Sequence, residues 1–295
     1  MKQTSARTSN RTQRRAGLMF VLPAFSVLLL FLAYPVFNSV YISLTRFDLV
    51  SAPQWVGLRN YIGLLQDTAF INTVQVTVSY LVGSLLFTLV AAFILALLLN
   101  NAFRGAGVYK AVIFTPVVIS QIVTAVIWRF LLHRNSVFNY LLAEIGLFSV
   151  APQWLNNPDL VLHGFRLLTV WKETGYFMVL FLAGLQTIPD VYYEVAGMDG
   201  AGLLRKVFAI TMPLLKPTFY FAIIMGTIRI LNLFAPFYMM TGGGPAKNSE
   251  VISLLIYKTG FEYLEMGKAS AMSIFMILGA GVIVLSLRKL EQRTW

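Results

Sequence analysis

The sequence predicts an all-α membrane protein with six transmembrane helices. Only 12% of its 295 residues are charged, whereas soluble domains carry about a quarter. Hydrophobic residues make up 58% of the chain, and the mean hydropathy is +0.73. Several runs contain no charge at all, for example the one between Arg15 and Arg46. Such runs reach the length of about 20 apolar residues that a helix needs to cross a bilayer.

Six segments are long and apolar enough to be such helices. They are predicted, in order, at residues 17–44, 71–100, 108–132, 160–186, 216–241 and between Lys268 and Arg288. All of them far exceed the 9–11 residues of a membrane β-strand. We therefore expect one six-helix membrane domain over residues 17–288, flanked by tails at 1–16 and 289–295.

The basic residues predict that both termini, and hence both tails, are cytoplasmic. With that orientation most cations lie inside, as the positive-inside rule requires. The outside loops, although longer, hold only Arg46, Arg59, Arg134, Lys247, Lys258 and Lys268. The net charge of +11 is therefore explained by topology, and no nucleic-acid partner is expected.

The longest cytoplasmic connection, residues 187–215, predicts a helix–turn–helix elbow. Thr187 and Asp190 have the spacing of a capping box, which starts a helix. Gly197 and the cluster at residues 200–202 oppose its continuation. Asp199 is placed to cap a second helix, so small residues form the tip of the elbow.

This elbow resembles the E-A-A loop of the permeases of binding-protein-dependent ABC importers. The residues at matching offsets are Glu194, Ala196, Gly200, Ile210 and Pro213. Val195 and Met212 replace the Ala and the Leu of the family motif and keep their small or apolar character.

Other motifs are similar to those of the maltose-type carbohydrate permeases and cover nearly the whole chain. They comprise Leu22-Pro23, Tyr34-Pro35, Trp55 with Gly57, Leu58, Asn60 and Tyr61, the stretch at residues 185–189, and Thr241 with Gly243, Gly244 and Pro245. The resemblance implies the type I ABC importer permease fold and a multi-pass protein of the cytoplasmic (inner) membrane. It also implies import of a sugar or oligosaccharide by alternating access.

The resemblance further implies that the elbow docks on a separate ATPase subunit. The docking residues would be Glu194, Ala196, Gly197, Asp199 and Gly200. An exposed Glu194 can pair with a basic residue, and Gly200 permits close backbone approach. The alternative is a surface helix whose glycine is merely a cap. The other implied partners are a second ATPase, a second permease subunit of different sequence, an extracytoplasmic solute-binding protein, the carbohydrate and membrane lipid.

No feature of the sequence indicates an enzyme. Gly267-Lys268 is followed by Ala269, so it lacks the Ser or Thr of a phosphate-binding loop. His133 and His163 are too far apart to suggest a metal site, and the chain has no cysteine. We expect no cofactor, and ATP hydrolysis is expected in a partner subunit.

Charges inside a membrane are costly, so they normally face a cavity, a partner charge or a substrate. The predicted substrate path consists of Gln121, Lys172, Glu173, Tyr176, Arg229, Asn232, Phe234 and Tyr238. The alternative is a structural ion network, for example Arg229 with Glu173.

Two other functions stay open at this point. Lys172 and Arg229 together exceed Glu173 by one charge, which either pairs with an acidic group on the partner permease or suits an acidic solute such as a uronide or glycerol phosphate. An ion-coupled secondary transporter is the second, although that class usually carries inverted repeats and intramembrane acids. Glu173 is the single acid within the predicted spans.

Overall fold

A computed structural model of the chain describes residues 19–100, 104–146 and 151–293. The tail predicted at residues 1–16 lies outside these ranges, as do residues 294 and 295 of the C-terminal tail. The helices are α1 Met19–Ser43, α2 Arg59–Gln66, α3 Thr68–Asn100, α4 Ala106–Val118, α5 Gln121–Leu131, α6 Val137–Glu144, α7 Val161–Leu185, α8 Val191–Met198, α9 Leu203–Lys206, α10 Lys216–Leu231, α11 Ala235–Met240, α12 Ile252–Tyr257 and α13 Met266–Arg293. The two strands are β1 Thr45–Arg46 and β2 Gln54–Trp55. Turns of π-helix lie at Leu29–Ala33, Val207–Thr211 and Lys258–Glu262.

The chain forms two compact units. The first, the terminal unit, contains the residues up to Leu64 together with Thr259–Ile274. The second, the main unit, contains Leu65–Lys258 and the residues from Phe275 onward.

In the terminal unit, a two-stranded hairpin follows α1. Thr45 pairs with Trp55 and Arg46 with Gln54 in an antiparallel register. The Asn60 amide donates to the carbonyls of Ser43 and Thr45, at 2.8 and 2.9 Å. These bonds tie α2 to the end of α1, which explains physically why an Asn follows the Trp-x-Gly-Leu segment.

The hairpin loop is closed by an aspartate. Asp48 accepts hydrogen bonds from the backbone N–H groups of Ser51 and Val50, at 2.7 and 3.1 Å. The N–H of Ser51, followed by that of Val50, lowers the pKa of the Asp48 carboxyl below its ordinary value.

In the main unit, α3 and α7 form the central packing pair, and α4 and α10 also pack on α7. A first core cluster includes Phe165, Leu168 and Phe237, all at most 1% exposed. A second cluster gathers residues such as Phe177 and Phe181 with the C-terminal half of α3. The main unit is therefore a helix bundle built around α7.

Four helical stretches of the described chain are long and apolar enough to cross a membrane. They are Met19–Ser43, Thr68–Asn100, Lys216–Met240 and Met266–Lys289. The bent pair α4 and α5 adds a fifth if both count as one span. α7 is 25 residues long but is not among them, because Arg166, Lys172 and Glu173 lower its hydropathy. Six membrane crossings therefore stay a prediction.

The single helix expected over residues 108–132 is in fact two helices. α4 ends at Val118, α5 begins at Gln121, and their axes differ by 100°. Pro116 lies inside α4 and lacks the N–H that would bond one turn back, so the helix is weakened at this point. The predicted fifth span has a smaller interruption, between Leu231 and Ala235.

A buried asparagine organises the segment between α5 and α7. Asn139 is 1% exposed, and its amide NH₂ donates to the carbonyls of His133, Arg134 and Pro152 at 3.0–3.3 Å. Its Oδ1 accepts from the indole N–H of Trp154 at 2.8 Å. One side chain therefore satisfies three carbonyls and one donor.

We expect Asn139→Ala to destabilise the protein, because it leaves buried groups without partners at about 1–3 kcal/mol each. The measurement is the thermal unfolding midpoint of the purified protein in detergent. Asn135→Ala is the matched control, because the side chain of Asn135 is exposed and only its backbone N–H is bonded, to His133. Equal midpoints for the two variants would show that this asparagine is dispensable.

Candidate functional site

The expected elbow forms between α7 and α10. α8 runs over Val191–Met198, and a turn with Gly200 at φ +74° leads into α9. Helical turns continue from α9 through Val207–Thr211 to Met212–Leu214. Glycine is favoured at this turn because a side chain rarely adopts that backbone conformation.

The caps proposed for the elbow are wrong in detail. Thr187 Oγ1 donates backward to the Gly184 carbonyl at 2.7 Å, so it does not cap α8. Asp190 is the N-cap residue but makes no side-chain cap bond. Asp199 terminates α8, while Gly202 precedes α9. Glycines therefore form the turn between the two helices, at Gly200 and Gly202, and the carboxylates do not cap the helices through their side chains.

The tip of the elbow carries exposed apolar residues around a carboxylate. Met198, Leu203 and Leu204 are 72–80% exposed, and Glu194 is exposed on α8. A Cβ at Gly200 would meet nothing within 4 Å. Ala196, Gly197 and Asp199 lie on the same short helix and its end. The five predicted docking residues therefore lie close together, next to an uncovered apolar surface.

The base of the elbow is fixed to the bundle. Ile188 is buried in the second core cluster, and the Tyr193 hydroxyl is bonded to Thr211 Oγ1 at 3.0 Å. This bond joins the two helical arms of the elbow.

The charges predicted to lie inside the membrane, on α7 and α10, form a partly buried ion pair. Arg229 Nε donates to Glu173 Oε2 at 2.6 Å, and the Glu173 side chain is 4% exposed against 31% for Arg229. The Arg229 guanidinium carbon also lies 4.4 Å from the centre of the Tyr176 ring. The ion pair weighed as a structural alternative therefore exists, and the guanidinium keeps one exposed side.

Lys172 lies on a different side of α7 from this pair. Its ammonium donates to the carbonyls of Pro116 and Ile119, at 3.2 and 2.5 Å. Those carbonyls belong to the break between α4 and α5. The structure therefore places Lys172 at the break, apart from the Glu173–Arg229 ion pair.

An aromatic cluster lies after the end of α10. The Phe234 and Tyr238 rings are stacked at 5.4 Å, and Tyr257 of α12 packs on them at 4.9 and 5.2 Å. Tyr238 is 41% exposed. Asn232 is also exposed, and its amide donates to the Ile228 carbonyl at 2.8 Å. Gln121 is exposed at the first turn of α5.

The sequence analysis missed Tyr257 and a second buried ion pair. Lys258 Nζ bonds Glu250 Oε1 at 3.0 Å and the Gly242 carbonyl at 2.7 Å. This pair secures the turn after α11, where Thr241 Oγ1 and Ser249 Oγ are 2.7 Å apart. Tyr257 is far along the chain from Phe234 and Tyr238, and Lys258 lies eight residues after Glu250. Neither separation matches the three- or four-residue spacing of neighbours on one helix, so the sequence pattern did not link them.

This region brings together polar and aromatic side chains of α7, α10, α11 and α12. Among the described residues no group of three His, Asp or Glu side chains is placed to hold a metal ion. Carboxylate, guanidinium, amide and phenol groups can exchange hydrogen bonds with hydroxyls, and aromatic faces can pack on C–H surfaces.

The chain is similar over nearly its whole length to known transport proteins. It is 35% identical over 277 residues to the trehalose/maltose transport system permease protein MalF of Thermococcus litoralis, covering 93% of this chain and 91% of that one. It is 30% identical over 282 residues to the sn-glycerol-3-phosphate transport system permease protein UgpA of Agrobacterium fabrum, covering 93% and 92%.

A solved structure has the same fold. In the bacterial alginate ABC transporter, determined in complex with an alginate pentasaccharide-bound periplasmic protein, one chain superposes with a TM-score of 0.83 at 25% identity, covering 97% of this chain and 96% of that one. No protein-family profile matches the chain.

We expect Glu173→Gln and Arg229→Gln each to lower stability, because each leaves a charge or its partner unpaired in a low-dielectric interior. The expected loss is about 1–3 kcal/mol, below the ~3–5 of a fully buried pair because Arg229 is partly exposed. The measurement is a double-mutant cycle on thermal unfolding. Strictly additive losses in the double variant would show that the two side chains do not interact.

Proposed function

The chain belongs to the permease subunits of binding-protein-dependent ABC importers of sugars, and we propose that it carries its solute past the Glu173–Arg229 ion pair and the neighbouring aromatic cluster. The family resemblance of the elbow motif is confirmed by the relatives, and the chain is accordingly an integral membrane protein. Transport rather than catalysis is its function.

The proposed path is supported by the exposed polar groups of the bundle. Arg229, Asn232 and Tyr238 present a guanidinium, an amide and a phenol, and Glu173 holds the guanidinium in place. Tyr176 and Phe234 supply aromatic faces beside them. Gln121 adds an amide from α5. These groups suit a hydroxylated solute, which needs both hydrogen-bond partners and apolar contacts.

The charge of this lining favours a neutral solute over an acidic one. The acidic alternative, a uronide or glycerol phosphate, rests on one surplus positive charge. That surplus is Lys172, whose ammonium is already bonded to two backbone carbonyls. The remaining pair, Glu173 with Arg229, is neutral overall. A neutral sugar or oligosaccharide is therefore the proposed substrate, and glycerol phosphate, carried by a relative, is the competing outcome of the test.

We also propose that the elbow docks on an ATPase subunit. Glu194, Ala196, Gly197, Asp199 and Gly200 surround an exposed surface, and the elbow base is bonded to the bundle through Tyr193. Apolar side chains as exposed as Met198 and Leu203 are typical of interaction surfaces. ATP hydrolysis in two such subunits would then supply the energy for alternating access.

The proposed assembly places six spans, α7 included, in the cytoplasmic membrane with both termini inside. Arg166, Lys172 and Glu173, which lower the hydropathy of α7, form hydrogen bonds within the bundle. The helix can therefore cross the membrane without exposing these charges to lipid. The proposed partners are a second permease of different sequence and an extracytoplasmic solute-binding protein, as suits a relative of a transporter solved with its periplasmic protein.

We expect Asn232→Ala and Tyr238→Ala to raise the KM for uptake about five- to tenfold, because each removes contacts worth about 1 kcal/mol. The measurement is uptake by proteoliposomes that contain the full complex and its binding protein, with a neutral oligosaccharide and with glycerol 3-phosphate. Tyr34→Ala, an exposed tyrosine of α1, is the control. Preferred uptake of glycerol 3-phosphate would contradict the proposal of a neutral substrate and favour an acidic one.

We expect the double variant Glu194→Lys/Gly200→Asp to abolish ATP-driven uptake and co-purification of the ATPase, since it reverses the docking charge and places a side chain at a positive φ. The matched control is Glu144→Lys/Gly146→Asp. It makes the same changes at an exposed glutamate and at an open glycine with φ +73°. Full uptake by the elbow variant would contradict the docking proposal, whereas uptake without any ATPase would contradict it and favour ion-coupled transport.

A further inference from the structure

The break between α4 and α5 leaves backbone carbonyls without helical partners. The last carbonyls of a helix have no N–H one turn ahead, and inside a membrane no water replaces it. The carbonyl of Pro116 accepts a 3.3 Å bond from the Ile119 N–H, and Ile119 itself has extended backbone and lies outside both helices. This end of α4 therefore attracts a cation, which the negative end of a helix dipole also favours.

Lys172 supplies that cation. Its residue is 4% exposed, and its ammonium bonds both carbonyls, at 3.2 and 2.5 Å. Among the described residues the ammonium forms no ion pair, so its charge is balanced by peptide dipoles. The backbone oxygens of residues 116 and 119 are termed the carbonyl cradle below.

The neighbouring turn of α7 holds the body of α4 by close packing. Gly175 lies so near α4 that a Cβ there would collide with the carbonyl oxygen of Ile113 and the Cα of Phe114. Gly175 and Lys172 are three residues apart, so they lie on one face of α7. α7 therefore fixes both the body of α4, through Gly175, and its end, through Lys172.

The bend decides where α5 lies. α5 packs against α11, and the Arg129 guanidinium donates to the Met239 carbonyl at 3.3 Å. Gln121, at the start of α5, is two residues beyond the cradle. Any change in the 100° angle would move Gln121 and the surface of α5 relative to α11, which precedes Tyr257 and carries Tyr238.

We propose that Lys172 is a positioning residue that acts as a tethered cation in the carbonyl cradle and thereby holds the bend between α4 and α5. Its role in transport is indirect: it keeps α5 beside α11 and does not touch the solute. The effect on uptake rests on the proposed function, whereas the effect on the bend does not.

This assignment makes a specific chemical prediction. Lys172→Ala removes Cγ, Cδ, Cε and Nζ, which together form propylammonium. Free propylammonium should therefore enter the cradle of this variant and restore the bend. Lys172→Met fills the space without charge or N–H donors, so it should not respond. Tetramethylammonium, which carries charge but no N–H, should not restore either variant.

The first readout is the angle itself. The chain has no cysteine, so spin labels at Val112→Cys and Phe130→Cys report one distance across the bend. Both positions are exposed, at 64% and 73%. In the complete complex we expect one narrow distance distribution for the lysine form, a broad or shifted one for Lys172→Ala and Lys172→Met, and recovery of Lys172→Ala alone in propylammonium.

The second readout is transport. We expect uptake to fall about tenfold or more in both variants through a lower maximal rate, because charged hydrogen bonds are lost. The KM should stay within about twofold, and propylammonium should restore Lys172→Ala to at least half. A substrate-binding role would instead raise the KM. If Lys172→Met does not assemble, the Lys172→Ala complex purified in propylammonium, and then washed free of it, gives the same comparison.

An unchanged distance distribution in Lys172→Ala and Lys172→Met overturns the proposal, as does equal recovery in tetramethylammonium. If the solute assignment fails instead, uptake of oligosaccharide is absent already with Lys172 present, while the distance readout still decides the role of this lysine.

Discussion

The main unit depends on the burial of two adjacent, oppositely charged side chains on one helix. Lys172 and Glu173 are 4% and 3% exposed, so water cannot hydrate their charges. Each must therefore find a partner in the protein. Because neighbouring residues on a helix point about 100° apart, the two partners come from different directions. α7 is thus held to α4 by its cation and to α10 by its anion.

α7 makes further contacts besides those of Lys172 and Glu173. α3, the longest helix, packs along α7 with apolar side chains and one hydroxyl bond, between Tyr80 and Thr169. Farther along α7, Arg166 bonds the carbonyl and hydroxyl of Ser79 at 2.9 and 2.8 Å. Gly83 lies against that guanidinium, so a larger residue would displace it. Each charged side chain of α7 thus forms a hydrogen bond to a named group outside that helix, although Nε of Arg166 is buried without a partner among the described residues.

The sequence predicted most helices well and the bonds between them only in part. Long apolar runs located four helical stretches that are long and apolar enough to cross a membrane, because hydropathy is a local property. The glycines at 197 and 200 indicated the elbow because the backbone conformation of a turn is local as well. The Glu173–Arg229 pair was foreseen as an alternative, since two opposite charges in adjacent spans have few other partners. The partners of Lys172 were not foreseen, because a backbone carbonyl is present at every residue and leaves no mark in the sequence. Pro116 could have predicted the break between α4 and α5, but the long apolar run around it favoured a single helix. The bonds of Asn139 could not be predicted, because no sequence motif connects the carbonyls that it binds.

The two partners of α7 also differ in their position along the chain. The carbonyls that receive Lys172 lie 53 and 56 residues before it, whereas Arg229 lies 56 residues after Glu173. During synthesis, the lysine therefore emerges from the ribosome when its acceptors are already made, and the glutamate emerges before its arginine exists. In the proposed arrangement, in which α7 crosses the membrane, its lysine has its acceptors available at that point and its glutamate does not yet have its arginine. In that arrangement, the order of translation makes α10 the helix that supplies the last partner for the charges of α7.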